Sequence, residues 1–122
     1  MNEEDIVRAL DGVFGRPHRA MAGKPQELHG LLRKQVQPAI VSLRWNGGLH
    51  AVLYSHTRDG WIYLKEPNDG VPEATPRGPS FERSDEQGSD VRMKVDEFEE
   101  HLVTAYLPIP RLSGFPWFRS KQ

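Results

Sequence analysis

The chain has 122 residues, enough for one domain with a real core and too few for two. Sixteen Lys plus Arg nearly balance seventeen Asp plus Glu, which argues against a general nucleic-acid or membrane binder. No cysteine is present, so disulfides, thiolate metal sites and cysteine nucleophiles are excluded together.

The hydrophobic share of 37% and mean hydropathy of −0.63 are low for a compact fold and imply one loose segment. No apolar run approaches the roughly 18 residues of a membrane span, and the N-terminus is acidic. Neither a transmembrane helix nor a secretory signal is read, and the cytoplasm is the expected compartment.

Residues 3 to 14 predict a helix, with Ile6, Leu10, Val13 and Phe14 at i, i+4, i+7 and i+8 and Ala9 beside them. Asn2 suits the N-cap, and Glu3, Glu4 and Asp5 suit the positive end of the dipole. Gly15-Arg16-Pro17 ends the helix, and residues 18 to 24 read as loop. Pro25 opens a second, short helix to about Lys34, striped by Leu28, Leu31 and Leu32. Gly30 weakens it by roughly 1 kcal/mol relative to alanine.

From Pro38 to Pro67 the chain reads as three strands of an antiparallel meander. In the first, Ala39, Val41, Leu43 and Trp45 alternate with Ile40, Ser42 and Arg44. In the second, His50, Val52, Tyr54 and His56 share one face, and Leu49, Ala51 and Leu53 the other. In the third, Ile62 and Leu64 alternate with Trp61, Tyr63 and Lys65. Asp59-Gly60 is short-hairpin chemistry. Residues 68 to 90, rich in Pro, Gly, Ser and charge, read as a mobile loop with Phe81 as its large anchor. Val91 to Val95 suggests a short strand before a final helix from Asp96 to Tyr106, with Phe98, Leu102, Ala105 and Tyr106 inward. Asp96 and Glu99 match a capping-box spacing. Residues 111 to 122 form a tail in which Phe115, Trp117 and Phe118 either dock on the domain or contact a partner.

His50 and Glu66, set on neighbouring strands, supply two thirds of a hydrolytic triad. Around them the sequence resembles the papain-like fold, in its bacteriocin-processing peptidase and papain-fold toxin (glutamine deamidase) versions. Gly48-Leu49-His50-Ala51-Val52 resembles the family's strand bearing the catalytic histidine. Asp59 to Pro67 resembles its hairpin, whose carboxylate orients that histidine. Asn2 to Asp11 with Gly15-Arg16-Pro17 is similar to the toxins' first helix and turn, and Val95 to Glu99 to the closing helix. The resemblance implies a minimal papain-like α+β domain over residues 1–110. N-terminal helices would pack on a small antiparallel sheet, followed by a C-terminal helix.

Under that resemblance the nucleophilic cysteine falls on Glu3, and residues 1 to 41 hold no Cys, Ser or Thr. A triad needs a nucleophile that the base can deprotonate at hydrogen-bond distance. The expectation is therefore a catalytically inactive papain-like domain that acts as a protein-binding or regulatory module. His50 and Glu66 would be remnants, in a cleft edged by Trp45, Trp61 and the 68–90 loop. Two alternatives stay open. One is a hydrolase or deamidase-like enzyme using His50 and Glu66 without cysteine, with Glu3 as an acid. The other is a small immunity or adaptor-type interaction protein using the tail. The bland readings are a satisfied core histidine and an exposed turn glutamate. His18, His29 and His101 are scattered, so no zinc site is expected. No cofactor is expected either, and the predicted partner is a protein.

Overall fold

The computed structural model describes residues 3–15, 17–45, 48–66 and 80–109. Its contacts divide the chain into two compact units, Met1–Arg19 with Pro108–Gln122, and Ala20–Leu107.

In the first unit, helix α1 (Glu3–Phe14) buries Ile6 and Leu10. The expected stripe is narrower than the periodicity suggested, because Ala9, Val13 and Phe14 are exposed, Val13 at 77%. Gly15 ends the helix with φ of +66° and donates its N–H to Asp11 O at 2.9 Å, the left-handed stop that glycine takes without strain. The Asp11 carboxylate then accepts the backbone N–H of His18 at 2.7 Å.

The second unit, with the flanking His18, Arg19 and Pro108, is mixed α+β. Strands β1 (His18–Ala22), β2 (Ala39–Trp45), β3 (Gly48–Arg58), β4 (Trp61–Lys65), β5 (Glu82–Arg83), β6 (Val91–Lys94) and β7 (Leu102–Pro108) form an antiparallel sheet ordered β1-β7-β2-β3-β4-β6-β5. Helices α2 (Pro25–Arg33) and α3 (Val95–His101) touch each other and the sheet. The meander is present as read. Asp59 (φ 52°) and Gly60 (φ 84°) make the hairpin with two positive φ angles, the turn whose twist matches its strands.

Three expectations are corrected. Residues 18–22 are strand, not loop. The final helix stops at His101, and Leu102 to Pro108 run as a strand beside β2. Leu102, Ala105 and Tyr106 are buried as expected, so the apolar positions were right and their period misled. Buried from Thr104 to Leu107 without a break, β7 lacks the alternation that marks a half-exposed strand. Residues 80–90, read as loop, carry edge strand β5 and a turn in which Ser84 N–H donates to Asp90 O at 3.0 Å. The sheet is thus larger than the small sheet expected, and residues 67–79 and 110–122 lie outside the described residues.

The core lies between the helices and one sheet face. Val41, Leu43, Val52, Tyr54, Ile62, Leu64, Val91 and Met93 meet Leu28, Leu32 and Phe98 there. Burying side chains of this size is worth roughly 1.5–3 kcal/mol each. A register shift between Tyr54 and His56 changes which residues face that core. Thr57 pairs with core residue Ile62, while His56 pairs with Tyr63 and stacks on its ring at 4.7 Å. His50 and His56 therefore lie on opposite faces, contrary to strict alternation.

Candidate functional site

His50 sits on β3 opposite Leu43, two residues from buried Val52. Glu66 follows β4, in phase with Ile62 and Leu64, and so reaches the same face. Their side chains meet. His50 Nε2 lies 2.8 Å from both Glu66 carboxylate oxygens. Glu66 is 1% exposed at its side chain, His50 24%.

A buried carboxylate needs hydrogen-bond donors in place of the water it has lost. Glu66 meets that demand through His50, and its backbone is held separately. Its N–H donates to Asp90 Oδ1 at 2.8 Å, while Asp90 N–H donates to Leu64 O at 3.0 Å. An ionised carboxylate only accepts, so Nε2 must carry the shared hydrogen. In a neutral imidazole that leaves Nδ1 as the lone pair. Among the described residues, no hydrogen-bond partner faces that atom.

Aromatic rings frame the imidazole. Trp45, at the end of β2, places its ring 5.0 Å from that of His50. Phe81 stacks on the far part of this arrangement, 5.4 Å from Trp45 with 24° between planes. Behind Glu66, a cavity of about 390 Å³ is lined by Ile40, Ala51, Leu53, Lys65, Glu66 and Asp90.

Of the residues singled out from sequence, His50, Glu66 and Trp45 come together. Trp61 does not. It pairs with Arg58 and Lys94 at the other end of the meander, with the Arg92 guanidinium 3.9 Å over its ring. His50 and Arg58 are eight residues apart on β3, roughly 25 Å at strand rise. Trp61 thus belongs to a different surface from the cleft it was expected to edge. The Glu3 side chain and Phe115, Trp117 and Phe118 lie outside the described residues. Phe81 and Asp90 were missed as site residues. Asp90 carried no local signal for this role, because its bond to the Glu66 N–H spans 24 residues of chain.

The capping box is also corrected. Helix α3 starts after Lys94 with no side-chain cap, and Glu99 instead bonds His29 Nδ1 at 2.8 Å. Among the described residues, no three His, Asp or Glu side chains converge as a metal site. No described helix is long and apolar enough to cross a membrane. No protein-family model matches the chain, and no curated protein or solved structure matches it.

Proposed function

We propose that this chain is a papain-like α+β domain that works as a protein-binding or regulatory module, with the His50–Glu66 pair as the remnant of a hydrolytic site. The observation that carries this reading is the pair itself, a buried glutamate held to a partly exposed histidine at 2.8 Å. The other ring nitrogen of His50 has no hydrogen-bond partner among the described residues, and the side chain is 24% exposed. Trp45 and Phe81 give the same place an apolar wall. An imidazole lone pair beside stacked rings suits a polypeptide segment that donates a backbone N–H and lays an apolar side chain against the rings.

Against turnover stands the chemistry of the first 41 residues, which hold no Cys, Ser or Thr for His50 to deprotonate. The second reading, a general base acting on water, draws on the same free Nδ1. One experiment separates the two. Wild-type protein is incubated with peptide and glutaminyl substrates, and its partner capture is compared with that of His50→Ala, Trp45→Ala and Phe81→Ala. The module reading expects no turnover and loss of one captured partner in the three variants. Turnover abolished by His50→Ala promotes the enzyme reading. Capture unchanged in all three variants rejects this cleft as the binding surface.

A further inference from the structure

A second histidine lies at the centre of another chain of hydrogen bonds. His29, on α2, is buried, with Nδ1 2.8 Å from Glu99 Oε2 and Nε2 2.8 Å from Thr57 Oγ1. Tyr54 Oη lies 2.7 Å from the same Thr57 oxygen. Helix α2 brings the imidazole, α3 the carboxylate and β3 both hydroxyls. The ring of His29 is fixed edge-on by Phe98 and Tyr54, at 5.4 and 6.3 Å between centroids.

The direction of this chain follows from its carboxylate end. A carboxylate only accepts, so in a neutral imidazole Nδ1 carries the hydrogen and Nε2 keeps the lone pair. Thr57 must then donate its hydroxyl hydrogen to Nε2, and its oxygen accepts from Tyr54. Burial raises the Tyr54 phenol above its usual range, against the opposing pull of Thr57 and Arg33, so it remains the protonated donor. The register shift before His56 is what turns Thr57 back toward the core face. As a β-branched residue, Thr57 is also stiff at χ1. A cavity of about 210 Å³ opens beside it, its lining including Arg33, Tyr54, Ser55, His56 and Thr57, with His56 Nδ1 2.8 Å from Ser55 Oγ.

We propose that Thr57 and His29, positioned by Glu99, form a catalytic relay separate from the His50 pair, hydrolysing small esters that carry a carboxylate for Arg33. The cavity sets the size of the substrate, and Arg33 sets its charge. In the first step Thr57 Oγ1 attacks the ester carbonyl carbon, forming an O–C bond while its proton passes to His29 Nε2. The carbonyl electron pair moves onto oxygen. Collapse of that intermediate breaks the bond to the leaving alcohol, which takes the proton from Nε2. Water then attacks the acyl-threonine and gives its proton to His29. The Thr57–acyl bond breaks, and the proton returns to Oγ1 as the carboxylic acid departs.

The test uses the full chain and 4-nitrophenyl hemisuccinate, whose free carboxylate addresses Arg33. The expected result is nitrophenolate release with an acyl adduct on Thr57, located by fragmentation of the tryptic peptide spanning residues 45–58. Thr57→Val, close in shape, removes the adduct, and Thr57→Ser keeps it. His29→Gln lowers the acylation rate about 100-fold, the usual size of a general-base contribution. Near-UV circular dichroism verifies that each variant is folded. Glu99→Gln lowers kcat with little change in KM, as a positioning residue should. Arg33→Gln raises KM for the hemisuccinate and leaves that for uncharged 4-nitrophenyl butyrate unchanged. A wild-type chain without a Thr57 adduct overturns the proposal, as does an adduct that moves to Tyr54 or Ser55 or survives in folded Thr57→Val. Equal KM changes for both esters overturn the role given to Arg33.

Discussion

Two His–Glu pairs at the same 2.8 Å distance stand in this molecule with their exposure reversed. At His50 the carboxylate is sealed and the imidazole reaches outward. At His29 the imidazole is sealed, 6% exposed at its side chain, and Glu99 lies nearer the rim at 22%. In both, the carboxylate sets which ring nitrogen carries hydrogen, and the other nitrogen decides what the pair can do. His50 Nδ1 meets no partner among the described residues, whereas His29 Nε2 meets a hydroxyl. One pair is a base without a nucleophile, and the other is a base already wired to one. A His–Glu contact is therefore only half of a chemical statement.

The comparison is broken most severely by removing the packing under one pair and not the other. Phe98, fully buried, supports the rings of His29 and Tyr54. Phe98→Ala should cost about 3–5 kcal/mol in urea unfolding, as large-to-small core changes do. It should blur the His29 ring resonances while leaving those of His50 in place.

Next in size is His50→Ala, which leaves the sealed Glu66 carboxylate unpaired. A loss of about 2 kcal/mol is expected, the size of a hydrogen bond to a charged acceptor. The double change His50→Leu with Glu66→Met should recover much of it. If the single variant is as stable as wild type, Glu66 does not depend on His50.

Thr57→Val strands His29 Nε2 and the Tyr54 hydroxyl together, which should cost about 1–3 kcal/mol by thermal or urea denaturation. Asp90→Ala removes the acceptor for the Glu66 N–H and should cost about 1.5 kcal/mol. Loss of the His50–Glu66 contact in its NMR spectra would mark Asp90 as the clamp of the first pair. The smallest effect is expected from Trp61→Ala, a slight fall in melting temperature through loss of its contact with Arg92. Neither histidine pair should respond to it.

How legible all this was depends on the range of the forces involved. The meander, its Asp59-Gly60 turn and the stripe of α2 were readable, because turn chemistry and period-2 alternation act within a few residues. The pairing of His50 with Glu66 was expected from the family resemblance alone. Strict alternation from the turn sets Glu66 opposite Leu53, on the face away from His50, and the register shift between Tyr54 and His56 is what brings the two together. The edges of the helix stripe were less readable. Val13 and Phe14 continue the period of α1 but are exposed, and nothing local distinguishes a buried turn from a free one.

The amino-acid sequence by itself determined the strands of the meander and the identity of most core residues, through contacts between near neighbours in the chain. Tertiary structure decided the rest. It made a strand of Leu102 to Pro108 by laying it against β2, about sixty residues earlier in the chain. It turned His56 away from the core through one extra residue in β3, and it removed Trp61 from the His50 cleft. It also joined His29, Thr57 and Glu99, which lie 28 and 70 residues apart from the imidazole's own position in the chain. No local period records such a meeting, because it depends on how two helices settle on a sheet rather than on any helix or strand alone.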